Sequence, residues 1–175
     1  EGTFRRSFCR FLRAMRKPIV GGNWKSNGTV AENQVLVDAL NQGEWNLKAV
    51  DVVICPTTLH IHRLQSAFKD PIKVGLQNTS ATGCGAFTGE IAASQAKDFG
   101  IEWTILGHSE RRRLYNDTDE VLPTKLKTAQ AEGMKVIFCI GELLEERQAG
   151  RTDQVIEKQL KAAIPAISDW SRIVI

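Results

Sequence analysis

Apolar residues fall along this chain in short runs, separated by stretches in which they recur every three or four positions. The runs are PIVGGN (18–23), VDVVICP (50–56), IKVGLQN (72–78), IEWTIL (101–106), MKVIFCI (134–140) and RIVI (172–175). Each is too short for a helix and most are rich in β-branched residues, so each predicts a buried strand. Thr29 is placed to cap a helix through about residue 42, with Val35, Leu36, Ala39 and Leu40 as its apolar face and Gly43 following. Thr57 or Thr58 opens a second helix carrying Leu59, Ile61, Leu64 and Phe68. A loop rich in Gly, Thr and Ser (79–90) precedes an Ala-rich helix over 91–99 that ends at Gly100. Residues 118–132 predict a helix capped by Thr118 and stopped by Gly133. Residues 141–150 are charged, and 152–167 place Val155, Ile156, Leu160, Ala163, Ile164 and Ile167 on one side of a helix.

Short apolar strands alternating with amphipathic helices predict an α/β protein, a parallel sheet with helices outside it. Two closures fit: a doubly wound open sheet or a (β/α) barrel. The first strand–helix turn, GGNWKSNG (21–28), has neither the GxGxxG spacing of a dinucleotide fold nor the GxxxxGK[ST] of a P-loop.

Composition adds little to this until charge is located. With 42% hydrophobic and 25% charged residues the chain is ordinary for a globular protein. No apolar stretch approaches the length of about 18 residues that a membrane span needs. Cys9, Cys55, Cys84 and Cys139 form no CxxC pair, and with three histidines no metal-ligand spacing emerges, so reduced structural thiols and no metal are expected. The net charge of +3 is unevenly spread. Residues 1–17 carry Arg5, Arg6, Arg10, Arg13, Arg16 and Lys17 against Glu1, a net +5, which leaves the remainder at −2. Such an Arg-rich segment, with Phe and Leu interspersed, reads as a transit-type peptide or as an arm docking on a protein partner. A membrane-surface helix and a nucleic-acid arm are competing readings. Nucleic acid is disfavoured because nothing else in the chain is basic.

In either closure, ligands bind at the carboxyl ends of the strands. Asn23 and Lys25 follow the first strand, Gln77 and Asn78 end the third, His108, Ser109, Glu110 and Arg111 follow the fourth, and Gly141 and Glu142 the fifth. Lys25 beside an amide suits a phosphate or an oxyanion, with a solvent-exposed lysine as the alternative. In ILGHSERRR (105–113) the histidine and serine open a helix, where Ser109 could cap. An imidazole at a helix N-terminus is held neutral and can donate a hydrogen bond. Glu110 and Glu142 read as ion-pair partners, with general base as the lesser reading of each. His60 and His62, two apart on a helix, cannot share a face and read as surface residues. Spacing alone therefore points to a phosphate or oxyanion site and names no reaction.

Four motifs in order, GGNWKSNG (21–28), GAFTGE (85–90), ILGHSERR (105–112) and FCIGE (138–142), resemble those of the triose-phosphate isomerases. The resemblance covers the chain from about Lys17 onward and implies a TIM (β/α)8 barrel. It also implies interconversion of dihydroxyacetone phosphate and glyceraldehyde 3-phosphate through an enediolate, without a cofactor, in glycolysis and gluconeogenesis. By that resemblance His108 and Lys25 are catalytic and Asn23 and Lys25 bind substrate. Ser109 and Glu110 support them, Glu110 by pairing with Lys25. Gly85, Phe87 and Thr88 lie on the loop that enters the partner's site in the family's dimer, which implies a homodimer through 79–90.

The same family barrel has eight strands and about 250 residues. The expectation is therefore a basic extension over 1–17 and a partial barrel over 18–175, holding about the first five and a half β/α units. The glutamate base, the lid and the later phosphate turn of the family would all follow Ile175, so the 175-residue chain alone is expected to be inactive. The alternative reading is a catalytically inactive, truncated relative serving as a structural subunit of a larger complex, docked through residues 1–17 and the open barrel edge. The basic segment suggests a mitochondrial or plastid location, with the cytoplasm as the alternative.

Overall fold

The computed structural model describes residues 17–46, 48–69 and 72–175. The expectations for residues 1–16 lie outside the described residues; Lys17 sets its ammonium 3.4 Å from Asp51.

All six predicted strands form: β1 (Ile19–Asn23), β2 (Asp51–Cys55), β3 (Lys73–Leu76), β4 (Trp103–Leu106), β5 (Lys135–Phe138) and β6 (Ile173–Val174). They pair in parallel, in chain order, as one sheet. Between them run α1 (Val30–Gln42), α2 (Ile61–Ala67), α3 (Ala93–Asp98), α4 (Ser109–Leu114), α5 (Leu122–Ala131), α6 (Leu144–Gln148) and α7 (Thr152–Ala163).

Side-chain alternation along the strands decides between the two closures. Val52, Ile54, Val74, Leu76, Leu106, Val136, Phe138 and Ile173 face outward and pack with Val37, Leu64, Leu126 and Ala163 of the helices. Val53, Cys55, Trp103 and Ile105 face the other way, packed with Ile19, Ile137 and Val174 of the strands and with Cys139 just past β5. Helices therefore cover one face only, and the second face closes on itself. A Cβ placed on Gly21 would stand 3.7 Å from Ile137 Cδ1, although three strands separate β1 from β5. The sheet is curled as part of a (β/α) barrel, and the doubly wound alternative is set aside.

The helices show where local pattern and packing part company. α1 starts as expected: Thr29 Oγ1 accepts from the Glu32 N–H at 3.2 Å, and the Glu32 carboxylate accepts from the Thr29 N–H at 2.8 Å. Its buried stripe, however, is Asn33 and Val37, and the expected face residues Val35 and Leu36 are 68% and 47% exposed. Apolar residues lie nearly all round this helix, so its period could not choose the face. Thr57 makes no side-chain cap; a 3-10 turn, Thr58–His60, leads into α2 and leaves Leu59 exposed. α5 begins at Leu122, with Pro123 in its first turn, three residues later than a cap at Thr118 would start it. The charged stretch 141–150 contains α6. α7 yields to a 3-10 turn, Ile164–Ala166, at Pro165, so Ala166 turns inward and Ile164 is exposed.

One buried polar network ties the outer layer together. Lys125 Nζ donates to Asp117 at 2.6 Å and to Asn78 at 3.0 Å, and Arg111 Nε donates to Asp117 at 2.9 Å. It links the end of β3, α4 and α5.

Candidate active site

β1 ends at Asn23 and the chain turns at once. Lys25 adopts φ +53°, a left-handed conformation that costs a side-chain-bearing residue about 1–3 kcal/mol unless its surroundings impose it. Two amide side chains impose it here. Asn23 Oδ1 accepts from the Lys25 N–H at 3.0 Å, a local bond that short polar side chains make in turns. Gln77 Nε2 donates to the Lys25 carbonyl at 2.8 Å and to the Cys55 carbonyl at 2.9 Å. The ends of β1, β2 and β3 are thereby pinned around one lysine. Its ammonium reaches across to Glu110 at 2.6 Å.

β4 delivers the other half. Gly107 turns the chain at φ +73°, and His108, the next residue, caps α4. The cap is the imidazole itself: Nδ1 accepts from the Glu110 N–H at 3.3 Å, where Ser109 had been the expected cap. A carboxylate oxygen of Glu110 also lies 3.4 Å from Nδ1. Both cannot bond there, because the N–H needs the lone pair of Nδ1 and the carboxylate needs a proton on it. The backbone N–H is always a donor, so it decides, and the bonding pattern assigns the proton to Nε2. His108 thus keeps an N–H at Nε2. The Lys25 hydrogen bond, and then the nearby charges of Lys25 and Arg113, hold the Glu110 carboxyl below the usual carboxylate range.

Lys25, His108 and Glu110 therefore converge, with Asn23 beneath them. Ser109 does not join them; it lines a neighbouring cleft of about 440 Å³ with Arg113, Glu142 and Lys158. Glu142 pairs with Arg147 at 2.6 Å. Gly85, Phe87 and Thr88 lie on the exposed part, 83–90, of the 79–90 loop, whose buried start is held by the Ser80 N–H donating to the Ile91 carbonyl at 2.9 Å. No hydrogen bond or ion pair joins that loop to Lys25 or His108 among the described residues. His60 reaches the Gly28 carbonyl at 3.2 Å, and the His62 ring packs tilted at 56° against that of Phe99.

Residues 18–175 match the family profile described as "Triosephosphate isomerase". The chain belongs to the triosephosphate isomerase family. Among its relatives are a chloroplastic triosephosphate isomerase of Secale cereale, 47% identical over 159 residues (91% of this chain, 53% of that protein), and the triosephosphate isomerase of Candida albicans, 46% identical over 161 residues (91% and 64%). That of Hahella chejuensis is 44% identical over 154 residues (87% and 62%). The chain spans between half and just under two thirds of the length of these relatives.

In this triosephosphate isomerase-family chain, the converging groups stand at the carboxyl ends of the strands, where barrels of this type bind ligands. Gln77 was visible as a strand-end residue, but its hold on Lys25 spans 52 positions and has no local signature. Among the described residues no three His, Cys, Asp or Glu gather as a metal would require, and no helix is long and apolar enough to cross a membrane.

Proposed function

We propose that this chain carries the lysine–histidine half of a triose-phosphate isomerase site, which interconverts dihydroxyacetone phosphate and glyceraldehyde 3-phosphate through an enediolate. The observation that carries the reading is the Lys25–Glu110–His108 convergence, a strained lysine and an Nε2–H donor at one barrel mouth. The ammonium is a point charge for the phosphate and for the oxyanion that develops on the substrate. The Nε2–H of His108 polarises the carbonyl; a neutral histidine electrophile is already the established pattern of this family rather than a deduction from these distances. Asn23 helps to fix the substrate, and Glu110 holds Lys25 in place. No cofactor enters the reaction.

Of the two strand-end carboxylates, Glu110 is held by Lys25 and Glu142 by Arg147, so neither is free to take the carbon-bound proton. The 175-residue chain alone is therefore expected to bind triose phosphate and not to turn it over. Titrating dihydroxyacetone phosphate into the isotope-labelled chain should shift the amides of residues 23–25 and 108–110, and Lys25→Ala should abolish the shift. Absence of binding, or binding indifferent to Lys25→Ala, would sink the site; turnover by the 175-residue chain would sink the statement about the base.

A homodimer through the 79–90 loop is supported by the exposure of Phe87, at 45%, beside Gly85 and Thr88. A second reading, an inactive relative acting as a structural subunit, draws on Val20, 52% exposed on the outer face of β1, as a surface for a protein partner. The Arg-rich residues 1–17 support an organellar location, which fusing them to a fluorescent protein would test; a diffuse cytoplasmic signal would reject it.

A further inference from the structure

We propose that Arg112 is a positioning residue for His108, clasping the main chain on both sides of it and tying the end of β4 to that of β5. The inference rests on the reading in which His108 is a working group of the site. Its starting point is a close approach of two strands. A Cβ on Gly107 would lie 2.9 Å from the Cys139 carbonyl oxygen, so β4 passes β5 here at a distance only glycine permits. Arg112 then serves both strand ends. Its Nε donates to the Gly107 carbonyl at 2.7 Å and its Nη2 to the Cys139 carbonyl at 3.2 Å. Nη1 donates to Asp119 at 2.8 Å, and the guanidinium lies 5.9 Å from the Phe138 ring. With its side chain 15% exposed and all three nitrogens engaged, the fork has a single orientation.

The geometry around His108 makes this more than a brace between strands. The guanidinium holds the carbonyl of the residue just before His108. Arg112 itself stands in the turn that His108 opens, its own N–H donating to the His108 carbonyl at 3.0 Å. His108 thus sits inside a short ring of chain closed by one side chain. That ring sets the direction of the His108 Cα–Cβ bond and so the Nδ1 cap that leaves the proton on Nε2. The flanking arginine does other work: Arg111 bonds Asp117 and stacks on Tyr115.

The test is the tautomer of His108, read without substrate, so that its failure is distinct from failure of the isomerase reading. In the full chain with ¹⁵N-labelled histidine, the two His108 ring nitrogens should show one pure Nε2–H form at a pH where the ring is neutral. Arg112→Gln should move both nitrogens toward a tautomer average while the His62 signals stay put. Arg112→Lys keeps charge near Asp119 but cannot serve two carbonyls at once; it should recover part of the thermal stability and none of the tautomer purity. It is also the variant to read should Arg112→Gln fail to fold. A merely structural Arg112 would lower stability and leave the His108 spectrum as in wild type, and that result, or a mixed tautomer in the wild type, overturns the proposal.

Discussion

Gly107 offers the sharpest test of how this site is built. Replacing it with alanine introduces two separable costs. The first is conformational: φ is +73°, and a Cβ in the left-handed region costs about 1–2 kcal/mol. The second is crowding. The new methyl would meet the Cys139 carbonyl oxygen at 2.9 Å, Arg112 Nη2 at 3.1 Å and Leu122 Cδ1 at 3.3 Å. The first contact is with backbone and cannot be relieved by a rotamer change, so β4 must move from β5, at about 1–3 kcal/mol. Together these give about 2–5 kcal/mol, a large share of the roughly 5–15 kcal/mol that holds a domain folded. Gly150 supplies the control, since its φ is +67° and nothing lies within 4 Å of a Cβ built there. Gly150→Ala should pay the conformational cost alone. Urea unfolding followed by circular dichroism, with unchanged slope, would give both values. Equal losses in the two variants, or less than about 1 kcal/mol at Gly107 against that 1–2 kcal/mol, would refute the close-approach argument.

Two further outcomes follow from buried groups. Lys125→Ala should cost about 3 kcal/mol in the same unfolding assay, since Lys125 and Asp117 are both buried and only Arg111 would remain to face the carboxylate; a loss under about 1 kcal/mol would mean that the pair is offset by its own desolvation. Burial, with the neighbouring Cys139 thiol adding to it, pushes the Cys55 thiol up to about 12. An acid whose folded value is raised favours its neutral form, so this contribution is complete below the ordinary thiol value of 9.0 and is lost as pH rises through about 12. At pH 8, iodoacetamide should therefore alkylate exposed Cys84 and spare Cys55, as read by peptide mass spectrometry. Equal labelling would contradict the assigned burial.

Much of this protein is legible in its sequence because the signals are local. Strand runs of four to seven residues, the Thr29 cap and the Gly stops at 100 and 133 rest on neighbours within one turn or one pleat. So does the position of Asn23, Lys25, His108 and Glu110 at strand ends. Local signals also misled where apolar residues surround a helix: packing into the outer core, not period, turned Val37 inward with Asn33 and left Val35 and Leu36 outside. The rest belongs to tertiary structure because its partners are distant in the chain. Curling the sheet in chain order brings Lys25 within 2.6 Å of Glu110, 85 residues on, and sets Gln77 beneath the Lys25 carbonyl. The same curl presses Gly107 on Cys139 and leaves two carbonyls for Arg112 to satisfy. Which groups stand at the mouth is thus a matter of sequence; the pairing of Lys25 with Glu110 and the hold of Gln77 on the strained Lys25 backbone were decided by strands that meet only in the fold.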